Sequence, residues 1–365
     1  MNRLMPGREV VLRTAETLAI GAVGGTAFNM AGFPAGLVAG SIVTTAAAAL
    51  MGRPLLVPAP LTRVLLVTVG IALGAVVTPA TLGGFAIYPV SIAILAVAIV
   101  CMTAATFTYL RLVHGWNPLS ALLGASPGAL AQVMAMAAES GADVRGITIV
   151  QTLRVMMLAL GIPAGLALAG LSQAPVAGPV VAGGMGDSLD FGILVIVSVA
   201  VAYAFYRIGF SGGWLFGAMI GAAALNGSGV VDARLPWWIA DAAMVALGSV
   251  TGSRFTEVNV RLLLEYVLTA LGSFTVAVTV ASVFAVIASR VVPTGTANLV
   301  IAFSPGAQDT MMLLALALQL DPVFVGAHHL ARYVMVSMGV SLLAHAIIRR
   351  MAHARADEPP KADPL

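Results

Sequence analysis

Ser126-Pro127-Gly128-Ala129 returns as Ser304-Pro305-Gly306-Ala307, and what these two stretches do in a helical chain decides the fold. Ser304 stands 178 positions after Ser126. The same offset joins Asp143 to Asp321, Arg154 to Arg332, Gly70 to Gly248, Gly74 to Gly252 and Leu37 to Leu215, with no gap. The chain is a duplication, and its period is far too long for a solenoid.

Around the repeated motif the chain is overwhelmingly apolar. Hydrophobic residues make up 60% and charged residues 9%, against about 25% charged in soluble domains. Thr17–Gly52, Val64–Leu110, Val155–Gly186, Tyr266–Ser289 and Tyr333–Ile348 contain no Asp, Glu, Lys or Arg. A helix crosses a bilayer with about 20 apolar residues, so each run holds one span or two. The alternating short strands of a membrane β-barrel are missing. The expected class is an all-α polytopic membrane protein in an inner (cytoplasmic) membrane. Duplicated apolar chains of this kind are typical of membrane transporters.

The expected organisation is a first membrane repeat over 10–170, a linker over 171–188, a second repeat over 189–348 and a disordered cytoplasmic tail over 349–365. The linker is rich in Gly and Pro, and the tail is charged and Pro-rich. Arg3, Arg8 and Arg13 before an apolar run imitate a signal peptide, but Glu16 interrupts the run, which reads as the first span. The net charge of +3 comes from basic residues set singly beside apolar segments. That placement sets membrane orientation and is not a nucleic-acid footprint. Cys101 is alone, which excludes a disulfide within one chain, and it reads as a small buried hydrophobe.

Each half divides into six apolar segments, the fifth carrying Ser-Pro-Gly at its middle. If the fifth segment crosses the membrane, each half has six spans and the repeats are parallel. If it dips in and returns, each half has five spans plus a re-entrant broken helix, and the repeats are inverted. Lys and Arg concentrate on the cytoplasmic side. With a cytoplasmic N-terminus, the inverted arrangement puts 14 Lys/Arg inside and 2 outside, and the parallel one 12 and 4. The count favours inversion. Both arrangements leave the C-terminus cytoplasmic.

Ser is a preferred N-cap, and Pro suits the first helical position. The pattern therefore predicts a helix from Pro127 to about Glu139, roughly 20 Å long and too short to span. Its first turn would lie inside the bilayer, where unpaired N–H groups attract anions. The alternative is a simple helix cap near the membrane surface; two copies, each centred in an apolar segment, favour a substrate site. Asp143 and Asp321 read as caps of the sixth segments. Eleven residues on, Arg154 and Arg332 stand roughly 16 Å along those helices, near mid-membrane. An unpaired cation there costs at least about 2.5 kcal/mol. Each Arg therefore clamps the carbonyls of the broken helix, contacts an anionic substrate, or does both. The expected substrate-binding set is Ser126, Pro127, Gly128, Gln132, Arg154, Ser304, Pro305, Gly306, Gln308, Thr310 and Arg332.

The halves differ where Asp309, His328 and His329 replace Ala131, Val150 and Gln151. Asp309 is a candidate to take up a proton, help bind Na⁺, or pair with an Arg. The histidines are candidates for a proton relay or for packing with a satisfied ring N–H. Adjacent positions on a helix project about 100° apart, which does not suit shared metal ligation. No metal, cofactor or catalytic group is expected. Gly36/Gly40, Gly70/Gly74, Gly213/Gly217/Gly221 and Gly248/Gly252 put small residues on one helix face, for packing within the chain or in a homodimer.

At these residues the chain resembles the membrane AbrB-type family, defined by an AbrB duplication domain. The resemblance covers about Thr14 to Ile348. It is carried by both Ser-Pro-Gly stretches, by Pro34-Ala35-Gly36 and Gly212-Gly213-Trp214, and by the Asp/Arg pairs. The family has been labelled both an ammonia monooxygenase and a regulator of gene expression. An oxygenase needs converging His or carboxylate ligands, whereas the five His here are scattered, with His114 in a loop and His345 and His353 near the end. A DNA-binding regulator needs a soluble basic reader, and no segment is long enough to be one. The expected activity is secondary transport of a small anionic metabolite, coupled to H⁺ or Na⁺. A membrane-embedded regulator that binds a ligand and affects gene expression indirectly is the alternative.

Overall fold

The computed structural model describes residues 7–78, 88–128, 130–171, 186–210, 212–258 and 260–356. The described residues are helical, without strands. The first half holds α1 (Gly7–Met30), α2 (Gly36–Leu50), α3 (Ala59–Gly74), α4 (Tyr88–Leu112), α5 (Pro118–Ala125), α6 (Leu130–Ser140) and α7 (Val144–Leu168). The second holds α8 (Ser188–Arg207), α9 (Gly213–Gly227), α10 (Trp237–Ser253), α11 (Val260–Ser289), α12 (Thr296–Phe303), α13 (Gln308–Ala317) and α14 (Pro322–Ala356). Adding 178 to the bounds of α5 gives those of α12, and the other helices pair in the same order. Among the described residues five helices are long and apolar enough to cross a membrane: α4, α7, α8, α11 and α14 through Arg349.

The halves interlace. α1 packs on α2 as α8 packs on α9; α2 lies against α10 as α3 lies against α9. These six helices form one bundle. α4 packs on α11, α7 on α11 and α14 on α4, with the short helices among them, forming a second bundle. Each bundle takes helices from both repeats. The small-residue faces are spent inside the first bundle. A Cβ on Gly221 would lie 2.9 Å from Ser198 Cα of α8, and one on Gly74 would lie 2.7 Å from Ala222 Cβ of α9. Backbones this close exclude any side chain at those positions.

The fifth segment of each half is two short helices that double back. Asn117 caps α5 by accepting from the Ser120 amide at 2.8 Å, and Pro118 occupies the first turn. α5 stops at Ala125 because Pro127 has no N–H to give and forces Ser126 into an extended conformation, with ψ 123°. Pro305 does the same to Ser304, with ψ 135°. After the turn, α6 returns toward the start of α5. The Ser120 hydroxyl accepts from the Asp143 amide at 2.9 Å, which joins the first turn of α5 to the cap of α7, three residues after α6. The equivalent bond in the second half runs from the Asp321 amide to Asn298 Oδ1, also at 2.9 Å. Each pair is a hairpin closed at its base.

Asp143 and Asp321 cap the next helices, as expected. Asp143 accepts from the Gly146 amide at 3.1 Å, and Asp321 from the Val323 and Phe324 amides at 3.0 Å. Two expectations change. α14 continues to Ala356 and takes in the first eight residues of the expected tail. Cys101, expected to be buried, is exposed on the outer side of α4. Most of the expected linker, 172–185, and the end of the tail, 357–365, lie outside the described residues.

Candidate functional site

The hairpin turns differ from the expected helix starts. Ser126 and Ser304 do not cap the helices that follow. Each ends the helix that precedes it, and its hydroxyl donates back along that helix, to Leu122 O at 2.7 Å and Val300 O at 2.5 Å. The chain then runs on through Pro-Gly, and the next helices begin at Leu130 and Gln308. Gly128, at φ 92°, is the physical reason in the first copy: that backbone angle leaves the helical path, so Pro127 cannot serve as its first residue. In the second copy the Gly306 amide donates to Ser304 O at 2.8 Å, closing a tight turn.

Breaking a helix leaves its last carbonyls unpaired, and a side chain from the next long helix takes each one up. Arg154 of α7 donates through Nη2 to Ser126 O at 3.0 Å. Gln151, one turn earlier, donates to Leu123 O at 3.0 Å, and its Oε1 accepts from Arg154 Nη2 at 3.2 Å. In the second half Arg332 donates to Ser304 O. His329 bonds through Nε2 to Ile301 O at 3.1 Å and through Nδ1 to Arg332. Its partners assign a neutral ring with the proton on Nε2. The imidazole of His329 and the amide of Gln151 thus do one job in the two halves: donate to a helix-end carbonyl and accept from the Arg.

The two turns approach each other. A Cβ on Gly128 would lie 3.5 Å from Gly306 O and 3.9 Å from Arg332 Nε. Beside them lies a cavity of about 230 Å³ between the bundles. The hairpin bundle lines it with Gly128, Gln151, Arg154, Val155, Ala307, Gln308 and Asp309; the other bundle adds Leu66, Gly212, Leu215 and Arg254. Arg154 is 3% exposed, and its buried Nε has no hydrogen-bond partner among the described residues. Asp309, in the first turn of α13, pairs with Arg254 at 2.7 Å, and its other oxygen accepts from the Thr310 amide at 2.9 Å. Among the described residues this ion pair joins the two bundles.

Of the expected substrate and coupling residues, Gly128, Arg154, Gln308 and Asp309 therefore line one cavity. Ser126, Pro127, Ser304, Pro305, Gly306, Thr310 and Arg332 are buried in the turns and helices behind it. The Gln132 side chain lies outside the described part of the structure. His328 faces away from the cavity. Its Nδ1 bonds Phe324 O at 2.7 Å, its Nε2 bonds Ser91 Oγ at 2.8 Å, and its ring packs on Phe324. Two lining residues with polar side chains, Arg254 and Gln151, were absent from the expected set. Arg254 was hidden because any Arg at a span end reads as an orientation signal. Gln151 carried a usable signal, since it occupies the position 178 before His329.

The interlaced helices and paired hairpins define a duplicated, all-helical protein of membrane character. The chain belongs to the AbrB family: residues 37–348 match the family described as transition state regulatory protein AbrB. It is 23% identical over 350 residues to YhjN of Bacillus subtilis (strain 168), described as uncharacterized, and the match covers 90% of this chain and 91% of that one.

Proposed function

We propose that this protein is a secondary transporter of a small anionic metabolite, bound in the cavity beside the hairpin turns. The observation that carries the proposal is Arg154, a buried guanidinium lining that cavity, whose Nε has no partner among the described residues. A buried donor without a partner costs about 1–3 kcal/mol, and an anionic ligand removes that cost. Arg254 adds a second cation at the rim, and Gln151 and Gln308 add neutral polar groups. A cavity of 230 Å³ lies below the usual 300–1,000 Å³ range of drug-sized sites, which suits a small metabolite. An anion reaching Arg254 competes with Asp309, and the released carboxylate is then free to take H⁺ or Na⁺. His328 and His329 have no part in this coupling. Their ring nitrogens are committed to structural partners.

In the membrane each hairpin is re-entrant. α5 and α12 have 8 residues each, about 12 Å of helix, and each hairpin closes at its base. If α1, α2, α3, α9 and α10 cross together with the five span-length helices, each half has five crossings and the repeats are inverted, with both termini cytoplasmic in the inner membrane. The Lys/Arg distribution supports this orientation. In this orientation Arg254, an exposed lining residue, lies on the cytoplasmic side.

The test is thermal stability of the purified protein with small carboxylates, phosphates, sulfonates, amines and neutral solutes, followed by flux in vesicles. A ligand that binds the native state raises its apparent stability. Anions are expected to stabilise the parent, with affinity falling about 10- to 100-fold in Arg154→Gln, the range for one charged hydrogen bond. Stabilisation by amines or neutral solutes alone, or an unchanged anion response in the variant, would reject the proposal. Since the family's description names a regulator, binding without flux would favour the regulatory alternative.

A further inference from the structure

A second cavity lies on the outer face of the first bundle, away from the hairpins. It has a volume of about 410 Å³ and runs along α3 from Pro60 to Ile71, walled by α8, Trp214 of α9 and the start of α10. Val67, Ile71, Val199 and Ile239 make it apolar. Thr68 lines it too, but its hydroxyl is spent on Val64 O of its own helix, at 2.9 Å.

Among the described lining residues one is charged, at one end of the groove. Arg63 stands there, its Cζ 5.5 Å from the Tyr206 ring and 5.9 Å from the Trp214 ring. Arg207 lies over the neighbouring Tyr203 at 5.8 Å and donates to its hydroxyl at 3.1 Å. Neither guanidinium has a carboxylate partner among the described residues. Arg with Tyr and Trp is the composition of a membrane–water interface. The eleven-residue rise from Pro60 to Ile71 is roughly 16 Å, about half of a hydrocarbon core of about 30 Å. That length matches the depth of one leaflet.

The duplication supplies an internal control. Positions 178 before Val195 and Val199 are Thr17 and Gly21, and Arg63 corresponds to Asp241. On that side α1 lies close against α10. A Cβ on Gly21 would meet Ser249 Cβ at 3.0 Å, and Thr17 is fully buried, accepting from the Leu56 amide at 3.0 Å. Among the described residues the matching positions are closely packed, and the counterpart of Arg63 is not a cation. On the open side Val199 is 42% exposed.

We propose that this groove holds one acyl chain of an anionic phospholipid, with its phosphate on Arg63 and Arg207 beside it. The apolar length takes the chain, and the paired aromatics and guanidiniums take the headgroup. This site is independent of the transport cavity.

The test is native mass spectrometry of the delipidated full-length protein offered phosphatidylglycerol or phosphatidylcholine with the same acyl chains. The parent is expected to retain phosphatidylglycerol about fivefold over phosphatidylcholine, the factor for one basic residue at an anionic surface. Arg63→Gln should remove that preference, and Val199→Trp, which fills the groove from an exposed position, should lower retention of both lipids. Glycerol phosphate without acyl chains should not compete. Equal retention of the two lipids by the parent, or an unchanged preference in Arg63→Gln, overturns the proposal. So does a parent dimer that Val199→Trp makes monomeric, because a second copy would then occupy the groove. Competition by glycerol phosphate overturns the acyl-chain part and leaves a phosphate site.

Discussion

Arg154 and Arg332 hold equivalent carbonyls, yet only Arg154 lines the cavity. Their environments separate two roles that the sequence assigned to both. Arg332 is 1% exposed, and His329 and Ser304 take its donors. The pairing of Gln151 with His329 predicts the outcome of a swap. His329→Gln should change stability by no more than about 1 kcal/mol, because an amide already does this work in the first half. His329→Leu removes the acceptor for Arg332 and the donor for Ile301 O, and should cost about 1–3 kcal/mol. Unfolding of the two variants in detergent checks both. Equal losses would mean that the ring's volume matters and its hydrogen bonds do not.

At the scale of the element, the hairpins rest on a break and a closure. The break was legible, because Pro at 127 and 305 cannot continue a helix. The role of each Ser was not. A Ser before Pro suits both a helix start and a helix end, and Gly128 and the tight turn at Gly306 decide between them. The closure was invisible in the sequence, because Ser120 and Asn298 are different residues doing the same thing. Ser120→Ala and Asn298→Ala should each lower stability by about 0.5–1.5 kcal/mol, one lost hydrogen bond. The sites belong to separate hairpins, so the double variant should show nearly the sum. Denaturation of the three variants measures this, and a marked departure from additivity would mean that the hairpins unfold as one unit.

At the scale of the whole molecule, two bundles face each other across the cavity, and the Arg254–Asp309 pair spans them. Its side chains are 36% and 20% exposed, and a pair so open to solvent contributes only about 0.2–1 kcal/mol. Its proposed value lies in coupling. Asp309→Asn should leave stability within about 1 kcal/mol of the parent and preserve anion exchange between vesicle compartments. It should abolish accumulation driven by an H⁺ or Na⁺ gradient. Accumulation that persists in the variant would move coupling to another group. The glycine faces belong to this scale as well. The sequence left them for contacts within the chain or between copies, and the first bundle uses them to bring α2 against α10 and α3 against α9.

The sequence by itself determined the duplication, the helical membrane character and the place of each arginine about three turns into its helix. These follow from composition, from a constant offset and from helix rise, all of which are local or additive along the chain. Only the tertiary structure decided that the repeats interlace, that Arg254 meets Asp309 across 55 positions, and that one of two equivalent grooves stays open. Those outcomes depend on which faces meet. In an apolar chain nearly every face is greasy enough to meet any other, so small backbone approaches and a few buried polar bonds make the choice.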